Sequence, residues 1–66
     1  MKVIVNGSAT ELPEDSTLEA VVAGVTTAGR GVAVAVNDEV VPRTAWATTP
    51  AAEGDRVEIL TAVQGG

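Results

Sequence analysis

The 66-residue sequence has no cysteine, no histidine, no phenylalanine and no tyrosine, and its single aromatic residue is Trp46. Without a thiolate or an imidazole the chain lacks the soft and borderline metal ligands, and it can assemble neither a Ser/His/Asp nor a Cys/His nucleophilic site. Without large aromatics its core must be built from Val, Leu, Ile and Ala. A domain of this size buries only about 60% of the surface its unfolded chain exposes. Such a core leaves little room for an enclosed pocket of roughly 300 Å³ or more, so an enzyme with its own pocket is not expected.

Positive charge is also scarce. Four Lys and Arg stand against nine Asp and Glu, a net charge of -5, which repels phosphate backbones and anionic lipid surfaces. Neither nucleic acid nor membrane is an expected partner. Long apolar runs are missing as well: Val3-Ile4-Val5 is broken by Asn6-Gly7, so neither a signal peptide nor a spanning segment can be drawn and a cytoplasmic location is expected. No repeat or linker interrupts residues 1–66, which read as one domain, expected to be a monomer when free.

What is present alternates between strand and turn signals. Lys2 to Asn6 is a β-branched run ending in Asn6-Gly7, a dipeptide suited to a tight hairpin, with Ser8 to Leu12 returning. Ser16-Thr17-Leu18-Glu19 has the form of a capping box. Leu18, Val21, Val22 and Val25 follow at the spacing of one helix face, expected to pack inward until Gly29-Arg30-Gly31 ends the helix. Val32 to Val36 reads as a strand with Val34 and Val36 on one face and alanines on the other. Asn37-Asp38-Glu39 turns the chain into Val40-Val41, which Pro42 closes as an edge strand. Thr49-Pro50 predicts a short helical turn ended by Gly54, and Arg56 to Thr61 is the last strand, with Val57 and Ile59 alternating with charges. The order ββαβββ predicts an α+β fold with its helix on one face of the sheet.

After that strand come Ala62-Val63-Gln64-Gly65-Gly66, read as a flexible tail over 62–66. Five extended residues reach roughly 15 to 18 Å. Two glycines without Cβ can thread a slot too narrow for any side chain. The α-carboxyl group, with a pKa of about 3.3 to 3.7, is ionised at neutral pH and able to attack an activated phosphate. The plainer alternative is a frayed end.

Ala35-Val36-Asn37, Val40-Val41-Pro42-Arg43 followed by Trp46, Glu53-Gly54-Asp55-Arg56-Val57-Glu58-Ile59 and the ending Val63-Gln64-Gly65-Gly66 together resemble the ThiS-type sulfur carriers of thiamine biosynthesis. The resemblance implies a β-grasp, ubiquitin-like fold, a mixed sheet of four to five strands wrapping one helix, with the first and last strands parallel at its middle. It also implies a carrier acted on by partner enzymes. An E1-like adenylyltransferase would use ATP and magnesium to form an acyl-adenylate on Gly66. A sulfur donor system would convert this to a thiocarboxylate, and thiazole synthase would take the sulfur. No cofactor would be bound by this chain itself. Gly65, with Gln64 and Val63 behind it, would thread the partners' active sites. Carriers of molybdopterin and cysteine biosynthesis are similar in fold and remain alternatives, as does a non-covalent binding module with an inert tail.

Trp46 is either a partner-facing anchor or a cover over the open end of the aliphatic core. Ala33 and Ala35 form either a low-profile docking patch or an ordinary solvent face, and Arg43 and Arg56 suit ion pairs or partner contacts equally. Asp38-Glu39 and Glu53/Asp55 lack the ligand count and spacing of a calcium loop, so no metal site is expected.

Overall fold

Two hairpin turns with left-handed backbone organise the sheet. Asn6 (φ 49°) and Gly7 (φ 84°) join β1 (Lys2–Val5) to β2 (Ser8–Glu11), and Asn37 (φ 50°) and Asp38 (φ 72°) join β3 (Val32–Val36) to β4 (Glu39–Val41). Asn and Asp enter this region more readily than other side-chain-bearing residues, and glycine enters it freely, so these sequences select tight turns whose twist matches that of the strands. The computed structural model describes residues 1–62. The last strand, β5 (Arg56–Thr61), enters between the two hairpins, parallel to β1 and antiparallel to β3. The order β2-β1-β5-β3-β4 makes a five-stranded mixed sheet, the β-grasp arrangement, with β4 at an edge.

Helix α1 (Leu18–Ala23) covers one face of the sheet and is shorter than its apolar spacing predicts. The Gly24 N–H is shared between the carbonyls of Ala20 and Val21, each at 3.2 Å, which tightens the last turn and ends the helix there rather than at Gly29. Val25 lies beyond the end and is 46% exposed, while Leu18, Val21 and Val22 are buried. The start is displaced too. Thr17, not Ser16, is the N-cap, its Oγ1 accepting from the Ala20 N–H at 3.3 Å. The Ser16 hydroxyl turns back to donate to the Pro13 carbonyl at 2.9 Å, so the expected Ser16/Glu19 box does not form.

The second correction concerns the short helical turn, which is a 3₁₀ helix over Arg43–Thr48, ahead of Thr49-Pro50 rather than after it. Residues 49–51 run extended instead, because the start of α1 captures them. The Leu18 N–H donates to the Thr49 carbonyl and the Ala51 N–H to the Ser16 carbonyl, each at 2.9 Å, and Thr17 bridges Pro50. The 3₁₀ helix carries Trp46 inward. Val3, Leu18, Val34 and Val57 are the fully buried centre of the core, with Ile59, Val21 and Val22 around them and Trp46, 4% exposed, at the side. Among the described residues no helix is long and apolar enough to cross a membrane.

Candidate functional site

The site starts from β5, since the tail is its continuation. Val57 and Ile59 point into the core, so strand alternation turns Arg56, Glu58 and Leu60 to the opposite face. Leu60 stands opposite Ala33, and Ala35 lies between Glu58 on β5 and Val40 on β4. Two small residues thus sit between larger neighbours, and they floor a shallow depression of about 130 Å³ walled by Val40, Glu58 and Leu60. Its apolar walls are unusually open to solvent: Val40 is 73% exposed and Leu60 69%. Ala33 and Ala35 were legible as a low-profile patch. Val40 and Leu60 were missed, although the alternation that sends Val57 and Ile59 inward also sends a leucine outward.

Arg43 and Trp46 lie elsewhere, and the structure does not bring them to the alanines. Trp46 packs on the helix side of the sheet, its Nε1 donating to the Val41 carbonyl at 2.9 Å. Its ring belongs to the core, and what remains accessible at this end is Arg43, whose guanidinium carbon sits 5.2 Å from the Trp46 ring centroid, within reach of a cation–π contact. Together they form one wall of an open cleft of about 410 Å³, with Glu19 and residues 26–29 on the other sides.

Three of the four residues of the acidic pairs, Glu53, Asp55 and Asp38, are engaged in structural contacts. Glu53 Oε1 accepts from the Lys2 N–H at 2.9 Å, and the Asp55 carboxylate accepts from the Ala52 N–H at 2.8 Å and from Asn37 Nδ2 at 3.0 Å. Asp38 pairs with Arg56 at 3.0 Å, and its hydrogen bond first and its charge second raise the Arg56 pKa above the ordinary value. Among the described residues no group of three or more Asp and Glu is placed to hold a metal ion.

The base of the tail is anchored by β3. Thr61 pairs with Val32, and the Ala62 N–H donates to the Gly31 carbonyl at 2.6 Å. Ala62, the first residue of the segment read from the sequence as a tail over 62–66, is tied to the sheet by that bond. Val63, Gln64, Gly65 and Gly66, the residues expected to carry and deliver the reactive group, lie outside the described residues.

Comparison with known proteins gives a consistent set of relatives. The model of the ThiS family matches residues 3–66. The crystal structure of a thiamine biosynthesis protein (ThiS) from Geobacter metallireducens is 30% identical, and the match covers all of both chains with a TM-score of 0.79. The solution structure of a thiamine biosynthesis protein from the same organism matches with a TM-score of 0.81, covering all of this chain and 88% of that one. A thiazole synthase of Paramagnetospirillum magneticum is 33% identical over 66 residues, and this chain spans 20% of its length.

Proposed function

The chain belongs to the ThiS family, and on that footing we propose that it is a sulfur carrier of thiamine biosynthesis whose reactive group is the Gly66 carboxylate. The observation that carries the reading is the family match itself, which runs along β5 and on through Gly65-Gly66. With neither Cys nor His, the sequence offers no thiol or imidazole to carry the sulfur. In the proposed cycle a Gly66 carboxylate oxygen attacks the α-phosphorus of ATP in an E1-like enzyme that holds the magnesium, and pyrophosphate leaves. A sulfide-level nucleophile then attacks the acyl carbon and AMP departs, leaving a thiocarboxylate. Gly65, Gln64 and Val63 thread the partner's active site, and the carrier is a substrate rather than an enzyme.

The depression over Ala33 and Ala35 is the docking face for that partner. An apolar side chain entering it would meet a flat floor and the exposed Val40 and Leu60 walls, close to where β5 leaves the sheet. Thiazole synthase is the proposed receiver of the sulfur. A segment similar to this whole chain lies within a polypeptide of that name, and activities joined in one polypeptide are activities that meet. The test is intact-mass measurement after incubation with ATP, magnesium, an E1-like enzyme and a sulfur donor. The expected gain is the replacement of one oxygen by sulfur, lost on deletion of Gly66. A truncated protein that still acquires sulfur overturns the assignment.

A further inference from the structure

Asn6 stands where β1 ends, and the parallel β1–β5 ladder should end with it. Up to that point the rungs are regular: the Ile4 N–H donates to the Asp55 carbonyl at 2.8 Å and the Asn6 N–H to the Val57 carbonyl at 2.9 Å. The same spacing would next join the Ile59 N–H to the backbone carbonyl of residue 6, and the N–H of residue 8 to the Ile59 carbonyl. The turn diverts both groups, because Asn6 at φ 49° has left the strand and Ser8 already pairs back onto Val5. The Asn6 side chain supplies both rungs instead. Its Oδ1 accepts from the Ile59 N–H at 2.8 Å, and its Nδ2 donates to the Ile59 carbonyl at 3.2 Å. One carboxamide does for β5 what further residues of β1 would have done.

Both backbone groups of Ile59 are thereby taken by Asn6, and on its other flank Ile59 stands opposite Val34 of β3. Past Ile59, the described contacts of β5 that continue its ladder are on the β3 side, through Val32 and Gly31. We infer that Asn6 is a positioning residue for transfer at the tail: by holding Ile59 on the flank that β1 has left, it sets the direction in which the chain departs from the sheet toward a partner's active site. The inference rests on the carrier function proposed above. It requires a carboxamide in particular. An aspartate would keep the acceptor but set a carboxylate oxygen against the Ile59 carbonyl, while a glycine would keep the left-handed turn and remove both bonds.

The experiment uses the full chain with an E1-like activating enzyme, ATP and magnesium, and reads pyrophosphate release as a function of carrier concentration. Amide exchange is read at Ile59. Asn6→Gly should exchange the Ile59 amide about tenfold faster, as loss of hydrogen bonds that each contribute modestly to local stability requires. Its turnover at saturating carrier should fall about tenfold, as should that of Asn6→Asp, with the half-saturating concentration within about twofold of wild type, because misorientation at the reacting centre acts on the rate rather than on docking. Thr17→Ala, which weakens the fold through the N-cap of α1, should keep the wild-type saturating rate. Wild-type turnover by Asn6→Gly, or an equal loss in Thr17→Ala, overturns the inference alone. A wild-type protein that releases no pyrophosphate overturns the function itself and this inference with it.

Discussion

Gly31 joins a conformational demand to a steric one at the base of the tail, so Gly31→Ala separates the two. At φ +73° the residue lies where an L side chain crowds its own backbone, costing roughly 1–2 kcal/mol. The new methyl group would also stand 3.1 Å from the Ala62 Cβ. Moving Ala62 aside strains its 2.6 Å hydrogen bond to the Gly31 carbonyl, worth about 1 kcal/mol. Alanine stiffens the unfolded chain, which returns about 0.4–1 kcal/mol. The net loss of about 1–2.6 kcal/mol lowers the melting temperature of a domain this small by roughly 4–21 °C. Thermal unfolding followed by far-UV circular dichroism reads the shift directly. Adding Ala62→Gly relieves the methyl contact but not the backbone strain, so the double variant should recover only part of the loss. Gly29→Ala is the control: nothing lies within 4 Å of the point its methyl group would occupy and its φ is not left-handed, so it should be neutral or slightly stabilising. A Gly31→Ala protein melting with wild type, or a Gly29→Ala protein falling as far, would refute the reasoning.

Trp46→Ala empties the largest side chain of the core and removes the donor to Val41, a loss of about 3–5 kcal/mol that should leave so small a domain largely unfolded at physiological temperature. Trp46→Phe should cost less and remain folded, both checked by far-UV circular dichroism. Thr17→Ala should cost about 1 kcal/mol in urea unfolding through loss of the N-cap; a Thr17→Ala protein as stable as wild type would mean that Thr17 does not cap the helix.

The hairpins were legible because Asn6-Gly7 and Asn37-Asp38 carry their backbone conformations in their own residue types. The helix was legible in kind but not in extent. Val25 continues the apolar spacing of Leu18, Val21 and Val22, and periodicity alone does not register that Gly24 has already tightened the last turn onto Ala20 and Val21. The 3₁₀ helix was placed on the wrong side of Thr49 because its start has no polar cap: Pro42 makes no side-chain hydrogen bond there. Thr49-Pro50, which resembles a helix start, is instead claimed by Thr17, a contact across the fold. For the site, Ala33 and Ala35 were visible as small residues on one strand. That β4 and β5 would raise Val40 and Leu60 around them depended on register, which is a property of the assembled sheet.

The placement of β5 between β1 and β3 has a mechanical consequence. In the cycle proposed above the tail is held in another enzyme, so separation of the complex would load it. Tension applied beyond Ala62 runs along the axis of β5 and loads its pairs with β1 and with β3 side by side, from Ile4↔Arg56 to Val32↔Thr61. Had the tail grown from an edge strand, with one flank unpaired, fewer rungs would share the load. In this sheet the rungs on both flanks of β5 resist sliding together, a geometry suited to the repeated release that the proposed carrier cycle requires.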